Sequence, residues 1–220
     1  MAELILIRHA QASFGAADYD VLSARGHRQS AALGLALKAH GTAPTACYRG
    51  DMRRHRETLD GIIDGLGIAP APQVLPGLDE FDFRAVLDAR FGDDLPPGLH
   101  DDRKTHFRAL RETVRMWQRD EIAGVPERFE AFRTRVLAAV DAMTEAGGDS
   151  VVAVSSGGPI AFIVATLLDA PPSTMVELQL QMKNCAVTRV VFTARRRFLH
   201  TFNETPHIDA ETMAEYLTYS

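Results

Sequence analysis

The feature that most constrains this chain is a short apolar run near its start, Leu4-Ile5-Leu6-Ile7, which ends in Arg8 and His9. Unbroken apolar residues cannot serve a sheet with one wet face. The run is also far too short to span a membrane, so it predicts a strand buried on both sides in a parallel sheet. Open α/β sheets bind ligands at the carboxyl edge of their strands, where Arg8 and His9 emerge. Arginine keeps its charge and grips phosphate with two N–H groups, whereas histidine titrates near neutrality. The pair suggests a nucleophile or proton carrier beside an anion clamp, and therefore phosphoryl transfer.

A chain of 220 residues suits one large domain or a core with an insertion. Its formal charge of -5 argues against a nucleic-acid surface, while leaving room for a local basic pocket. Cys47 and Cys185 are the only cysteines, too few for a disulfide framework or a cysteine-rich metal site. The start lacks a basic leader, and the apolar stretch Ile160 to Leu168 falls short of the roughly 20 residues that cross a bilayer. A soluble, cytoplasmic protein with no membrane partner is the expectation.

Past the first strand, a loop carries Gly15, Asp18 and Asp20, and Ser23 is placed to cap a helix from Ala24 to about His40, closed by Gly41. Ala46 to Tyr48 predicts a strand, and Asp51 a cap for a second helix reaching about Leu66. The run Arg53-Arg54-His55-Arg56 near that helix start reads either as a solvated face or as an anion site at a positive helix end. Gln73 to Leu75 predicts a third strand, followed by the acidic cluster Asp79, Glu80 and Asp82.

From Phe83 to Ala146 the pattern turns helical. Phe107, Leu110, Val114 and Trp117 make one stripe, and Phe129, Phe132, Val136, Val140 and Met143 another, at spacings that mark core rather than a cofactor site. Asp93 to Gly98, with Pro96 and Pro97, predicts a loop within this helical stretch. Val151 to Val154 repeats the opening pattern and ends in Ser155-Ser156-Gly157-Gly158-Pro159 before a helix from Ile160. Glycines between strand and helix leave backbone N–H groups that cradle an anion. Ala186 to Phe192 and Phe198 to Phe202 predict two more strands, and His207 lies in the tail.

Other chemistries lack their signatures. A serine nucleophile elbow needs glycine two residues before the serine, where Ala153 or Val154 stands. His100, Asp101, Asp102 and His106 match no metal-ligand spacing. No P-loop or dinucleotide fingerprint is present, so no cofactor is expected.

Four segments in order, Arg8-His9-Ala10, Arg54-His55-Arg56-Glu57-Thr58, Leu78-Asp79-Glu80 and Ser155-Ser156-Gly157-Gly158, together resemble the histidine phosphatase superfamily, also called phosphoglycerate mutase-like. The resemblance covers nearly the whole chain. It implies a three-layer α/β/α domain over residues 1–220, with a mostly parallel central sheet and a helical insertion at about 83–146. It also implies a metal-independent phosphomonoesterase working through a phosphohistidine. By the resemblance His9 is the nucleophile, Arg8 and Arg54 are phosphate clamps, and Glu80 is the general acid. Ser156 and Gly157 line the phosphate site, and the substrate is a small phosphorylated molecule or a phosphoprotein. A carboxylic acid does such work near neutrality only if burial or nearby negative charge lifts its pKa, and Asp79 and Asp82 are the neighbours in sequence.

Two departures stand out. Ala10 replaces the usual glycine after the nucleophile, a small change. Ser156 replaces a second histidine that donates to the transferring phosphoryl group, which leaves three readings: a slower phosphatase, a phosphate binder with little turnover, or a pocket repaired by another residue. His55, His106 and His207 are the candidates for repair. Mutase-type phosphotransfer is the alternative within the enzyme class.

Overall fold

The computed structural model describes residues 2–13, 20–67, 70–92, 94, 103–146 and 148–219, except the side chains of 103, 104 and 106. Gly15, Asp18, the loop prolines Pro96 and Pro97, His100, Asp101, Asp102 and the side chain of His106 lie outside the described residues.

The opening run forms β1 (Ala2–Arg8), and the second apolar run forms β4 (Ser150–Ser155). They pair in parallel, with Leu4 opposite Val151 and Arg8 opposite Ser155. That register decides the site, because it makes His9 and Ser156 leave the sheet side by side. Around this pair the sheet adds β2 (Ala46–Arg49), β3 (Gln73–Val74), β5 (Val187–Phe192) and β6 (Arg197–Glu204), in the order β3-β2-β4-β1-β5-β6. The first four strands run parallel, and β5 and β6 are antiparallel additions.

Successive side chains of a strand face opposite ways, so the apolar runs feed two cores. Ile5, Ile7, Val152 and Val154 pack under α1 (Ala24–Ala39) and α2 (Arg53–Leu66) through Leu33, Leu37, Leu59 and Ile62. Leu4, Leu6, Val151 and Ala153 face the other layer, where α4 (Arg103–Gln118), α5 (Phe129–Ala146), α6 (Gly157–Leu167) and α7 (Thr174–Gln181) contribute. Short α3 (Phe83–Phe91) precedes α4, and α8 (Met213–Tyr216) lies near the end. Helices α3 to α5, between β3 and β4 in sequence, share one apolar cluster with the sheet. Trp117 stacks on Phe81 at 4.6 Å between ring centroids, so the residue after Glu80 is locked into this layer. No helix among the described residues is long and apolar enough to cross a membrane.

Two local expectations need correction. Asp51 does not cap α2; the N-cap is Met52, whose side chain makes no capping bond. Caps come instead from distant carboxylates: Asp20 accepts the Arg53 N–H at 2.7 Å, and Asp79 accepts those of Asp51 and Met52 at 2.7 and 3.3 Å. Helix α6 begins at Gly157 rather than at Ile160, because Pro159, lacking an N–H, fits the first turn where that donor has no partner.

Candidate active site

His9 follows β1 and is almost fully buried, at 4% exposure. Its Nδ1 lies 2.8 Å from the Ala10 carbonyl. A carbonyl only accepts, so Nδ1 carries the proton, and in the neutral ring Nε2 is left with its lone pair. Burial, then the charges of Arg54 and Arg8 and the nearby His55, hold this imidazole well below its usual range, although the Ala10 bond works weakly the other way. The ring is therefore neutral at neutral pH, in its nucleophilic form. Its carbonyl receives the Asn184 Nδ2–H at 3.2 Å, and the Ala10 N–H donates to Thr58 Oγ1 at 2.9 Å. The Ala10 methyl is buried in the apolar cluster under α1 and α2.

Arg8 and Arg54 are both buried. One guanidinium N–H of Arg8 donates to the Met182 carbonyl. Arg54 comes from the first turn of α2, where Asp20 holds one of its guanidinium nitrogens at 2.8 Å. Within the Arg53-Arg54-His55-Arg56 run, both readings apply in alternation: Arg53 and Arg56 are exposed, whereas Arg54 and His55 are buried. A helix turns about 100° per residue, so one run serves solvent and site alike.

Glu80 enters from the loop after the 3-10 turn Pro76–Leu78. Its Oε2 accepts the Gly158 N–H at 3.0 Å and the Gln179 Nε2–H at 3.4 Å, and Oε1 accepts the Phe81 N–H at 3.3 Å. Burial raises its pKa above the ordinary carboxyl value, against the lowering effects of the Gly158 N–H and of the Arg54 and Arg8 charges. The expected help from Asp79 and Asp82 is absent. Asp82 turns away to cap α3 through the Ala85 N–H, and Asp79 turns toward His55. The same two guanidiniums thus act on His9 and on Glu80, which places the imidazole, both guanidiniums and the carboxyl near one strand edge.

Ser156 is fully buried at the start of α6 and makes no capping bond. Its Oγ lies 2.7 Å from His55 Nε2, and the His55 and His9 rings stand 5.8 Å apart. Gly157 borders Arg8: a Cβ placed there would lie 3.7 Å from the guanidinium Nε. Of the three candidates for repair, His55 is the one brought to the site. His207 packs beside Tyr216 in the tail, and the His106 side chain lies outside the described residues. Sequence reading missed Gln179 and Asn184, which come from remote segments without a local signal. Thr58 stood within a quoted motif, yet only the structure gives its task of tying α2 to the loop after β1.

With this geometry in hand, the comparisons define a class. Solved structures with the same fold include alpha-ribazole phosphatase from Shigella flexneri, 20% identical over 92% of this chain and 96% of that one, with a TM-score of 0.66. They also include a mycobacterial glucosyl-3-phosphoglycerate phosphatase in complex with inorganic phosphate, 22% identical over 95% and 100%, TM-score 0.67. Phosphoglycerate mutase from Bacillus anthracis is 19% identical over 94% of each chain, TM-score 0.65. The fold is phosphoglycerate mutase-like. The family model described as histidine phosphatase superfamily (branch 1) matches residues 4–205, and the chain belongs to that superfamily. No curated protein matches it.

Proposed function

We propose that the protein is a phosphomonoesterase that passes the phosphoryl group through His9. One observation carries the reading: a buried, neutral imidazole with a bare Nε2 sits among two guanidiniums that also act on a carboxyl group of raised pKa. In the first step Nε2 of His9 attacks phosphorus and the ester P–O bond breaks, while Glu80 gives its proton to the leaving oxygen. In the second, the Glu80 carboxylate takes a proton from water as that water attacks phosphorus, the P–N bond breaks and inorganic phosphate leaves. Arg8, Arg54, Ser156 and the Gly157 N–H hold the non-reacting oxygens, where charge builds in the transition state. The substrate is a small phosphorylated molecule or a phosphoprotein, and no step is routed through a metal.

Hydrolysis of p-nitrophenyl phosphate, with and without a chelator, tests the reading. Chelator-resistant turnover, abolished by His9→Ala, is the expected result. Release of free phosphate, rather than its return to a second hydroxyl of a phosphoglycerate, separates hydrolysis from mutase chemistry. A second reading, a phosphate binder with little turnover, rests on Ser156. It would be supported by wild-type protein that turns nothing over yet is protected by phosphate against thermal unfolding.

A further inference from the structure

The mechanism above leaves a buried imidazole beside the site without a task. His55 is completely shielded from solvent, with its two ring nitrogens facing different partners. Nε2 meets Ser156 Oγ at 2.7 Å, and Nδ1 lies 3.5 Å from Asp79 Oδ1, an ion-pair approach rather than a well-formed hydrogen bond. Asp79 is fixed as a carboxylate: burial would raise its pKa, but His55 and the Met52 and Asp51 N–H groups outweigh that and lower it. The chain is shaped around this pair. A Cβ on Gly50 would fall 2.3 Å from both Asp79 Oδ1 and His55 Nδ1, so any other residue there would drive the two apart.

We propose that Asp79, His55 and Ser156 form a relay that delivers a hydrogen-bond donor, backed by an imidazolium charge, to the phosphoryl group being transferred to and from His9. The proposal rests on the phosphohistidine reading and assigns His55 as a positioning residue acting through Ser156. In the free protein His55 is held below the usual imidazole range by burial, with Asp79 opposing through its ion pair, Arg54 adding to the depression, and Asp20 opposing more weakly. Across the site the other titratable ring beside it among the described residues is His9, which is itself neutral. In that state Nδ1–H points at Asp79 and Nε2 accepts the Ser156 hydroxyl proton, so the hydroxyl has no proton for a ligand. A phosphoryl dianion reverses this. His55 takes one proton from solvent, Nε2–H then donates to Ser156 Oγ, and the freed Oγ–H donates to a phosphoryl oxygen. No covalent bond to phosphorus or carbon changes in the relay. The imidazole thus serves the pocket from α2, one side chain behind the serine, instead of from the end of β4.

The test uses the full chain and compares wild type, His55→Gln, Ser156→Ala and the double variant H55A/S156H. Wild type should form an acid-labile phosphoenzyme on His9. His55→Gln keeps volume and a hydrogen bond but cannot titrate, and it should lower kcat roughly tenfold to a hundredfold with little change in KM. Ser156→Ala should cost about as much, and combining it with His55→Gln should cost little more, because the two act as one unit. H55A/S156H moves the imidazole to the serine position and should recover most of the loss, which a residue needed only for packing would not permit. Binding of inorganic phosphate between about pH 5 and pH 8 reads the same relay without turnover, since wild type should take up one more proton than His55→Gln.

Wild-type turnover with unchanged kcat and proton uptake in His55→Gln would overturn the relay and leave the phosphatase reading intact. Absence of turnover together with a retained proton-uptake difference would overturn the phosphatase and leave the relay as a binding device. An acid-stable phosphoenzyme on Ser156 would overturn both.

Discussion

Gly158 leaves the room that the Glu80 carboxyl occupies. A Cβ there would lie 2.1 Å from Glu80 Oε1 and 2.9 Å from the Phe81 ring, and the aromatic stack behind Phe81 leaves the ring little freedom to move. Gly158→Ala should therefore push the Glu80 carboxyl out of line, also costing it the Gly158 N–H, and lower kcat on an aryl phosphate by about a hundredfold, the range of a lost general acid. An unchanged kcat would show that Glu80 does no proton transfer from this position. The two cysteines illustrate the opposite case. Cys47 and Cys185 are buried free thiols, and burial pushes both upward, Cys47 to about 11, so both stay protonated at neutral pH.

Helix α2 carries Arg54 and His55, and it packs closely against α1 in the same layer. The two helices meet through small residues: a Cβ on Gly34 would lie 2.3 Å from the Ile62 carbonyl oxygen and 2.9 Å from Gly65 Cα, while Gly61 sits against Ser30. Backbone on backbone cannot yield as a side chain would. Gly34→Ala should cost about 1–3 kcal/mol by overpacking, measured as a loss of denaturant midpoint, and should lower kcat as well because α2 is displaced with its clamp. A stability loss with full activity would mean that the site tolerates a shift of α2. The caps of α2 make the same point. Asp20 and Asp79 close the helix start from two other segments, so the start of α2 is completed by residues that also contact Arg54 and His55.

The molecule as a whole carries a pH dependence in its buried histidines. His207 is held down to about 4 by burial, and neither ring nitrogen has a hydrogen-bond partner among the described residues. An unfolded ring has the ordinary value near 6.5. Its preference for the neutral form is thus fully felt above that value and lost as pH falls toward 4, a contribution of about 3 kcal/mol. His9 and His55 act in the same direction, while Glu80, with its raised pKa, favours the folded state at low pH and loses that contribution as pH rises through its folded value. The melting temperature should fall between about pH 6.5 and pH 4, and His207→Leu should flatten part of that fall. An identical slope in the variant would exclude His207 as a source. Much of this architecture is legible along the chain. The apolar runs 4–7 and 151–154 dictate buried parallel strands, and the stripes of Val114, Trp117, Phe132 and Val136 dictate the covering helices, because strand and helix periodicity are short-range properties, whereas Arg8, His9, Arg54 and Glu80 are grouped as a set only by the resemblance of four short segments to the superfamily. What the chain could not reveal is convergence. That burial rather than acidic neighbours lifts Glu80, that Asp20 and Asp79 cap α2, and that His55 rather than His207 stands behind Ser156 depend on distances between segments remote in sequence. Those distances are set only when helices pack on the sheet and the register of β1 on β4 is fixed.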